Sequence, residues 1–126
     1  MKKKVITTDC APRPAGPYSQ GVIAGGVLYV AGQVPIDPDT GALVTGSVAE
    51  QTARVLDNVT AILEAAGVTR DDVVQARVYL RDRAMFAEMN EVYARYFTVD
   101  PPVRTTVEAG LREGVDVEID VVAVVG

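Results

Sequence analysis

The chain has 126 residues, of which 48% are apolar, 23% charged and 6% aromatic, a composition typical of one soluble globular domain over residues 1–126. Its 17 acidic and 12 basic residues give a formal net charge of −5, which argues against binding to nucleic acid or to an anionic membrane. Histidine is absent and cysteine occurs once, which excludes Ser-His-Asp or Cys-His catalysis, a redox cysteine pair and a histidine zinc site.

The first third of the chain predicts short strands. Residues 4–7 are one candidate, and a proline-rich irregular segment over residues 11–17 follows, because proline cannot donate to a sheet ladder. Residues 21–24 and 27–30 are apolar runs separated by two glycines, Gly25 and Gly26. This pattern predicts a hairpin whose two turn residues have positive φ.

A helix is predicted over residues 48–66. Ser47 and Glu50 have the spacing of a capping box, and Gly67 is the expected stop. The apolar residues recur at intervals of three and four, so that one stripe of the helix is expected to be buried. The members of this stripe are Val55, Leu56, Val59, Ile62, Leu63 and Ala66.

The second half of the chain predicts another helix and three strands. The helix covers about residues 83–97, with Asp82 as its N-cap. Strands are predicted over residues 73–80, 103–109 and 115–125, since the first and last alternate between apolar and other residues. The residues expected to point inward from the first of these strands are Val74, Ala76, Val78 and Leu80.

The outer face of the last strand changes character along its length. It is acidic at Asp116, Glu118 and Asp120 and apolar at Val122 and Val124. Two helices cover only one side of a sheet, so an apolar second side requires another partner, and a second copy of the sheet is the economical one. The order β-β-β-α-β-α-β-β therefore predicts an α+β sandwich, a six-stranded mainly antiparallel sheet with two helices on one face, which assembles through its bare face.

The polar groups left for chemistry suit hydrolysis of a bond that is already reactive, by binding a small anion and orienting a water. Arg104, at the start of a strand, is the candidate anion ligand; the alternative is a surface arginine. Glu118 becomes partly desolvated if its face packs against a neighbouring subunit; the alternative is a solvated acid. Tyr18 and Asn90 are further candidate polar groups for the site; the alternatives are a ring that only packs and a solvent-facing helical residue. For Cys10, which has no histidine to activate it, an inert thiol is the alternative to a reactive one.

Several segments together resemble the reactive intermediate deaminase family, also called Rid or YjgF. They are residues 15–21 (Ala-Gly-Pro-Tyr-Ser-Gln-Gly), 31–38 (Ala-Gly-Gln-Val-Pro-Ile-Asp-Pro), 102–108 (Pro-Val-Arg-Thr-Thr-Val-Glu) and 117–120 (Val-Glu-Ile-Asp). The resemblance implies a chorismate mutase-like fold and a homotrimer whose sheets line an inner barrel. It further implies clefts between subunits in which small 2-imino acids bind.

The activity that the resemblance implies is hydrolysis of 2-imino acids to 2-keto acids and ammonia, without a cofactor or metal. The imines arise from enamines such as 2-aminoacrylate and 2-aminocrotonate. By the resemblance, Arg104 binds the substrate carboxylate bidentately and Glu118 orients the attacking water. The groups that complete the cleft are Tyr18, Asn90 and the backbone at Gly32 and Thr106.

Two positions depart from the family pattern. Ala31 stands where well-studied deaminases often have serine, and Leu111-Arg112 replaces a Leu-Pro pair. Two other functions stay open: a non-catalytic regulatory trimer that binds small anions, and an endoribonuclease that inhibits translation. The sequence has no apolar run of the length of a signal peptide or membrane span, and a cytoplasmic protein without a nucleic-acid partner is expected.

Overall fold

The computed structural model of this chain describes residues 2–126. Over these residues the chain forms one six-stranded sheet with two helices. The strands are β1 (Lys4–Ile6), β2 (Gly21–Ala24), β3 (Val27–Gln33), β4 (Val73–Leu80), β5 (Val103–Glu108) and β6 (Val117–Val124), and the helices are α1 (Val48–Ala65) and α2 (Phe86–Tyr96). The strand order is β1-β2-β3-β6-β4-β5; the β4–β5 pair is parallel and the other four pairs are antiparallel. The predicted fold class and element order are confirmed.

The hairpin between β2 and β3 has the predicted turn. Gly25 and Gly26 have φ angles of 59° and 76°, which residues with a Cβ rarely adopt. The expected strand over residues 4–7 is one residue shorter, because β1 ends at Ile6, the last residue paired with β2.

Strand β3 is longer than the prediction of residues 27–30 and contains a bulge. Its pairing with β6 continues to Gln33, and between Val30 and Gln33 it has one residue more than the facing stretch of β6. The bulge consists of Ala31 and Gly32, which together face a single residue of β6. A bulge of this kind bends the strand and re-aims nearby groups, and it is common beside functional sites.

Helix α1 begins and ends as the sequence predicts. The Ser47 hydroxyl accepts a hydrogen bond from the Glu50 amide at 3.1 Å, and Oε1 of Glu50 accepts one from the Ser47 amide at 3.3 Å. Gly67 has a φ of 81° just beyond the helix. The stripe faces the sheet, and its fully buried members are Val55, Leu56, Val59, Ile62 and Leu63.

The predicted helix over residues 83–97 is divided in two. A 3-10 turn, Arg83–Met85, precedes α2. Asp82 caps this turn and not the α-helix, because its Oδ1 accepts a hydrogen bond from the Ala84 amide at 2.8 Å. Such 3-10 turns are frequent at the N-termini of α-helices.

The core lies between the two helices and one face of the sheet. The predicted inward position of Val74 on β4 is wrong, since 45% of its surface is exposed while Val73 is buried. The pairing of β4 with β6 shifts between Val73 and Gln75. This irregularity interrupts the alternation of buried and exposed side chains, so that Val74 lies on the exposed side. Beyond it, Ala76 and Val78 are fully buried as expected.

The other face of the sheet is not covered by either helix and includes an apolar row. In register across four neighbouring strands lie Val5, Val22, Tyr29 and Val122. Tyr29 is 51% exposed, and Val124, further along β6, is 47% exposed. Neither helix is long and apolar enough to cross a bilayer, as judged over residues 2–126.

Candidate functional site

Glu118 lies on β6, on the face of the sheet away from the helices, beside the bulge of β3. Its carboxylate passes directly over Gly32, where a Cβ would collide with Oε2 of Glu118. Any side chain at position 32 would therefore displace the Glu118 carboxylate from its present place. The carboxylate opens into a cavity of about 450 Å³, which Tyr18 and Ala31 also line. We call this cavity, with Tyr18, Gly32 and Glu118, the Glu118 cavity.

The electrostatic surroundings of Glu118 favour its protonated form. Partial burial raises the pKa of Glu118, and the nearby negative charge of Asp120 raises it further. Asp120 is itself paired, because it accepts hydrogen bonds from Nε of Arg77 and from the Tyr79 hydroxyl, each at 2.8 Å. The carboxylate of Asp120 is thus paired, whereas that of Glu118 has an increased affinity for a proton.

The loop that contains Tyr18 is fixed by a buried glutamine. Nε2 of Gln20 donates hydrogen bonds to the carbonyls of Thr8 at 3.0 Å and Pro12 at 2.9 Å, and Oε1 accepts one from the Thr8 amide at 2.7 Å. The Tyr18 hydroxyl accepts a hydrogen bond from the Ala15 amide at 3.1 Å. The ring is therefore held at the cavity by local contacts.

A second group of predicted site residues surrounds Arg104 on β5. The Arg104 guanidinium lies over the ring of Tyr93 at 4.7 Å and over that of Phe86 at 5.4 Å. Asn90 lies between these two aromatic residues on the same face of α2, four residues after Phe86 and three before Tyr93. Thr106 is two residues after Arg104 and shares its side of the strand. We call this group the Arg104 cluster.

Three polar atoms of the Arg104 cluster are buried without a hydrogen-bond partner within residues 2–126. They are Oδ1 of Asn90, the hydroxyl of Tyr93 and Oγ1 of Thr106. Burial raises the pKa of the Tyr93 hydroxyl, and the Arg104 charge partly opposes this. Buried polar atoms are nearly always paired, so these three atoms find partners outside residues 2–126, in water, a ligand or another chain.

One chain does not bring the two groups together. Arg104 is in register with Ala76, which is buried under the helices, and so it lies on the helix side of the sheet. Glu118 is in register with Tyr79, on the opposite side. The family resemblance implies that all these residues line one cleft between subunits. Within a single chain they form two half-sites, Arg104 with Asn90 and Thr106, and Glu118 with Tyr18 and Gly32.

Sequence reasoning missed residues in both half-sites. Sequence analysis did not single out Tyr93 and Phe86, whose rings lie against the Arg104 guanidinium. Their spacing of seven residues gave no indication of the contact, which depends on how α2 crosses β5. Arg13 and Arg112 also line the Glu118 cavity, and only the departure of Arg112 from the family pattern had drawn attention to it.

The acidic residues do not form a metal site of ordinary composition. In the part of the chain that the structure describes, no three His, Cys, Asp or Glu side chains cluster closely enough to hold a metal ion. Cys10 is exposed, with a free thiol.

Comparison with known proteins identifies the family. The family model described as endoribonuclease L-PSP matches residues 8–125, nearly the whole chain. The chain belongs to the YjgF/Rid family. The resemblance seen in its motifs is thereby confirmed.

The YjgF/Rid protein is similar to relatives across distant organisms. A RutC family protein of Pyrococcus horikoshii is 52% identical over 122 residues, which are 96% of this chain and 97% of that protein. A bovine protein named 2-iminobutanoate/2-iminopropanoate deaminase is 42% identical over 127 residues, 100% of this chain and 93% of the relative. The crystal structure of a conserved Rid family protein from Yersinia pestis superposes with a TM-score of 0.95 at 43% identity, covering 98% of this chain and 100% of that one.

Proposed function

We propose that this YjgF/Rid protein hydrolyses reactive 2-imino acids to 2-keto acids and ammonia. The observation on which this rests is the position of Glu118, half-buried above Gly32 at a cavity, with a pKa raised by burial. A carboxylate so placed can hold a water and accept its proton. The bovine deaminase, at 42% identity over the whole chain, supports the same reaction class.

In this proposal the Arg104 cluster supplies the second half of the site. The planar guanidinium presents two parallel donors to the α-carboxylate of the substrate, a geometry that lysine cannot reproduce. The two aromatic rings hold the guanidinium in place, and Asn90 and Thr106 offer polar atoms that lack partners in one chain. Since the half-sites lie on opposite faces of one sheet, the complete cleft forms between two subunits. The assembly is a homotrimer.

The reaction needs only a positioned water and a proton acceptor. The Glu118 carboxylate takes a proton from the water as its oxygen bonds to the imine carbon, and the tetrahedral intermediate carries both hydroxyl and amino groups. The proton then passes from Glu118 to the departing nitrogen while the hydroxyl proton is lost to solvent as the carbonyl forms. In sum, a protonated imine and water give a 2-keto acid and ammonium. A positioned general base of this kind contributes about 10²- to 10⁴-fold to the rate.

The description of the family model as an endoribonuclease supplies a second candidate. Two properties oppose it for this chain. RNA binding depends on neutralising phosphates with basic side chains, and the net charge is −5. The chain also has no histidine to act as general acid or base in phosphodiester cleavage.

A coupled assay tests the proposed function. A threonine dehydratase generates 2-iminobutanoate in the presence of semicarbazide, and the semicarbazone is followed by absorbance. We expect the protein to lower semicarbazone formation and to accelerate ammonia release, and the Glu118→Gln variant at the same concentration to do neither. If the wild-type protein binds 2-oxobutanoate in calorimetry but leaves semicarbazone formation unchanged, the regulatory anion-binding trimer replaces this proposal. Cleavage of single-stranded RNA with no effect on the imine would favour the endoribonuclease.

A further inference from the structure

Two arginines line the Glu118 cavity in addition to the residues already described. Arg13 and Arg112 come from different loops, one before β2 and one before β6, and both border the cavity that Glu118 and Tyr18 also line. Within residues 2–126 neither guanidinium forms a salt bridge. The cavity therefore has two guanidinium groups that are not paired in a salt bridge within this chain.

Hydrogen bonds from other side chains hold the backbone of both loops. Arg13 lies between Pro12 and Pro14, which restrict the backbone, and Gln20 binds the Pro12 carbonyl at 2.9 Å. Arg112 belongs to a loop that is fixed by Arg81, the residue just after β4.

Arg81 acts as the anchor of that second loop. Its Nε donates to the carbonyl of Val115 at 3.0 Å, and its Nη2 donates to the carbonyls of Leu111 at 3.1 Å and of Arg112. The Arg112 side chain itself takes no part in these bonds. The two guanidinium groups are thus presented at the cavity on anchored backbone, which lowers the entropy lost when they bind an anion.

Two acidic residues lie near these arginines without forming a salt bridge to them. Asp37 and Asp39 border an adjoining cavity of about 530 Å³ together with the same two arginines. Within residues 2–126 no carboxylate oxygen lies within salt-bridge distance of Arg13 or Arg112, and Oδ1 of Asp37 instead accepts a hydrogen bond from the Asp39 amide at 2.8 Å. Both guanidinium groups therefore remain available for contact with a ligand.

We propose that Arg13 and Arg112 bind a second acidic group of the substrate, so that the preferred substrates are 2-imino acids with a carboxylate in the side chain. This inference rests on the proposed function. There, the α-carboxylate goes to Arg104 and the imine carbon to the water at Glu118, which leaves the substrate side chain for the remainder of the cavity. Arg13 and Arg112 border this remainder, together with Glu118 and Tyr18. The family pattern has proline where this chain has Arg112, so the preference is a property of this chain.

The test compares two imines that differ in the side-chain carboxylate. Amino-acid oxidases generate 2-iminoglutarate from glutamate and 2-iminobutanoate from 2-aminobutanoate, and semicarbazide trapping gives kcat/KM for each. We expect the wild-type protein to prefer 2-iminoglutarate. In the double variant Arg13→Ala/Arg112→Ala, we expect the ratio of the two kcat/KM values to fall by roughly ten- to a hundredfold, as for the loss of charged hydrogen bonds.

Three single variants extend the comparison. Arg112→Lys keeps the charge, and we expect it to retain more of the preference than Arg112→Ala. Arg95→Ala removes the same charge from an exposed arginine of α2 that pairs only with Glu91 at 3.8 Å, and we expect the wild-type ratio. Circular dichroism and gel filtration confirm that each variant is folded and assembled.

The outcomes separate this inference from the proposed function. If neither imine is hydrolysed by the wild-type protein, the proposed function fails. If both are hydrolysed and the ratio is the same in the wild-type and double-variant proteins, the reaction class stands and the side-chain preference is overturned. Calorimetry gives a measure independent of turnover: 2-oxoglutarate binding no tighter than 2-oxobutanoate to the wild-type protein also overturns the preference.

Discussion

At the scale of single residues, the position proposed to make Glu118 a proton acceptor also lowers the stability of the folded chain at neutral pH. Its carboxylate lies above Gly32 at the cavity, and burial followed by the charge of Asp120 raises its pKa above the ordinary value of 4.5. In the folded state the proton is therefore bound more tightly than in the unfolded chain. As pH rises through this interval the unfolded state loses its proton first, so ionised Glu118 lowers the free energy of unfolding at neutral pH.

Glu118→Gln should separate activity from stability. We expect imine hydrolysis to fall by about 10²- to 10⁴-fold, because the amide cannot accept the proton of the water. We expect the variant to be more stable than wild type at pH 7 and equally stable below pH 4.5, where the native carboxyl is already protonated. Initial rates and thermal unfolding at the two pH values check this. A variant that is less stable at pH 7 would contradict the assigned desolvation, and unchanged turnover would remove Glu118 from the mechanism.

Arg104 is the residue on which substrate binding is expected to depend most. Removing one partner of a desolvated charge pair costs about 2 to 5 kcal/mol, a factor of roughly 30 to several thousand. We expect Arg104→Ala and Arg104→Lys both to lose deaminase activity, since lysine lacks the planar pair of donors. The assay is kcat/KM for 2-iminobutanoate, with Arg95→Ala as the charge-matched control. Wild-type rates in Arg104→Ala would show that this arginine does not bind the substrate carboxylate.

At the scale of elements, one of the loops that border the Glu118 cavity is held by a buried polar side chain, that of Gln20. Gln20 anchors the segment before β2, with bonds to the carbonyls of Thr8, Ala11 and Pro12 at 3.0, 3.3 and 2.9 Å. Without it, these buried groups lose their partners. The position of Tyr18 thus depends on a residue that does not itself line the cavity.

Gln20→Ala should loosen this loop without unfolding the sheet. Unpaired buried groups cost about 1 to 3 kcal/mol, so we expect the free energy of unfolding to fall by that amount. Hydrogen exchange should become faster over residues 8–13, and kcat/KM should fall. Gln75→Ala, at an exposed position of β4, should change stability by less than about 0.5 kcal/mol. Equal exchange protection of residues 8–13 in both variants would show that Gln20 does not hold the loop.

The elements differ in how far sequence predicts them. Local signals define α1 completely, because the capping box at Ser47, the apolar stripe and Gly67 all lie within the helix or at its ends. The β4 register could not be predicted, since the shift that exposes Val74 depends on pairing with a strand more than 40 residues away. The contact of Glu118 with Gly32 is equally non-local.

At the scale of the whole molecule, the uncovered sheet face explains why the chain is expected to assemble. Val5, Val22, Tyr29 and Val122 form an apolar row across four strands, and Val124 continues it along β6. A continuous apolar surface of this kind marks an interaction site. The sequence had indicated this from β6 alone, and the register extends the surface to three more strands.

Val124→Glu should disrupt the proposed trimer. A valine fully removed from water contributes about 1.5 to 3 kcal/mol, and three-fold symmetry repeats the loss in each subunit. We expect the wild-type protein to sediment at three times the 13.4 kDa of one chain and the variant at a lower mass. Val99→Glu places the same charge at a 55%-exposed valine outside the sheet and should leave the mass unchanged. A wild-type mass equal to one chain would refute the trimer.

The central claim is that one catalytic cleft takes Arg104 from one subunit and Glu118 from another, and mixing two inactive variants tests it most directly. Arg104→Ala and Glu118→Gln subunits are unfolded together at equal concentrations, refolded, and assayed with 2-iminobutanoate. Random assembly gives a cleft with both native residues in roughly one case in four, so we expect about a quarter of the wild-type activity per subunit. Each variant refolded alone should stay inactive. A refolded mixture as inactive as its two parents, although assembled to the wild-type mass, would contradict the shared cleft.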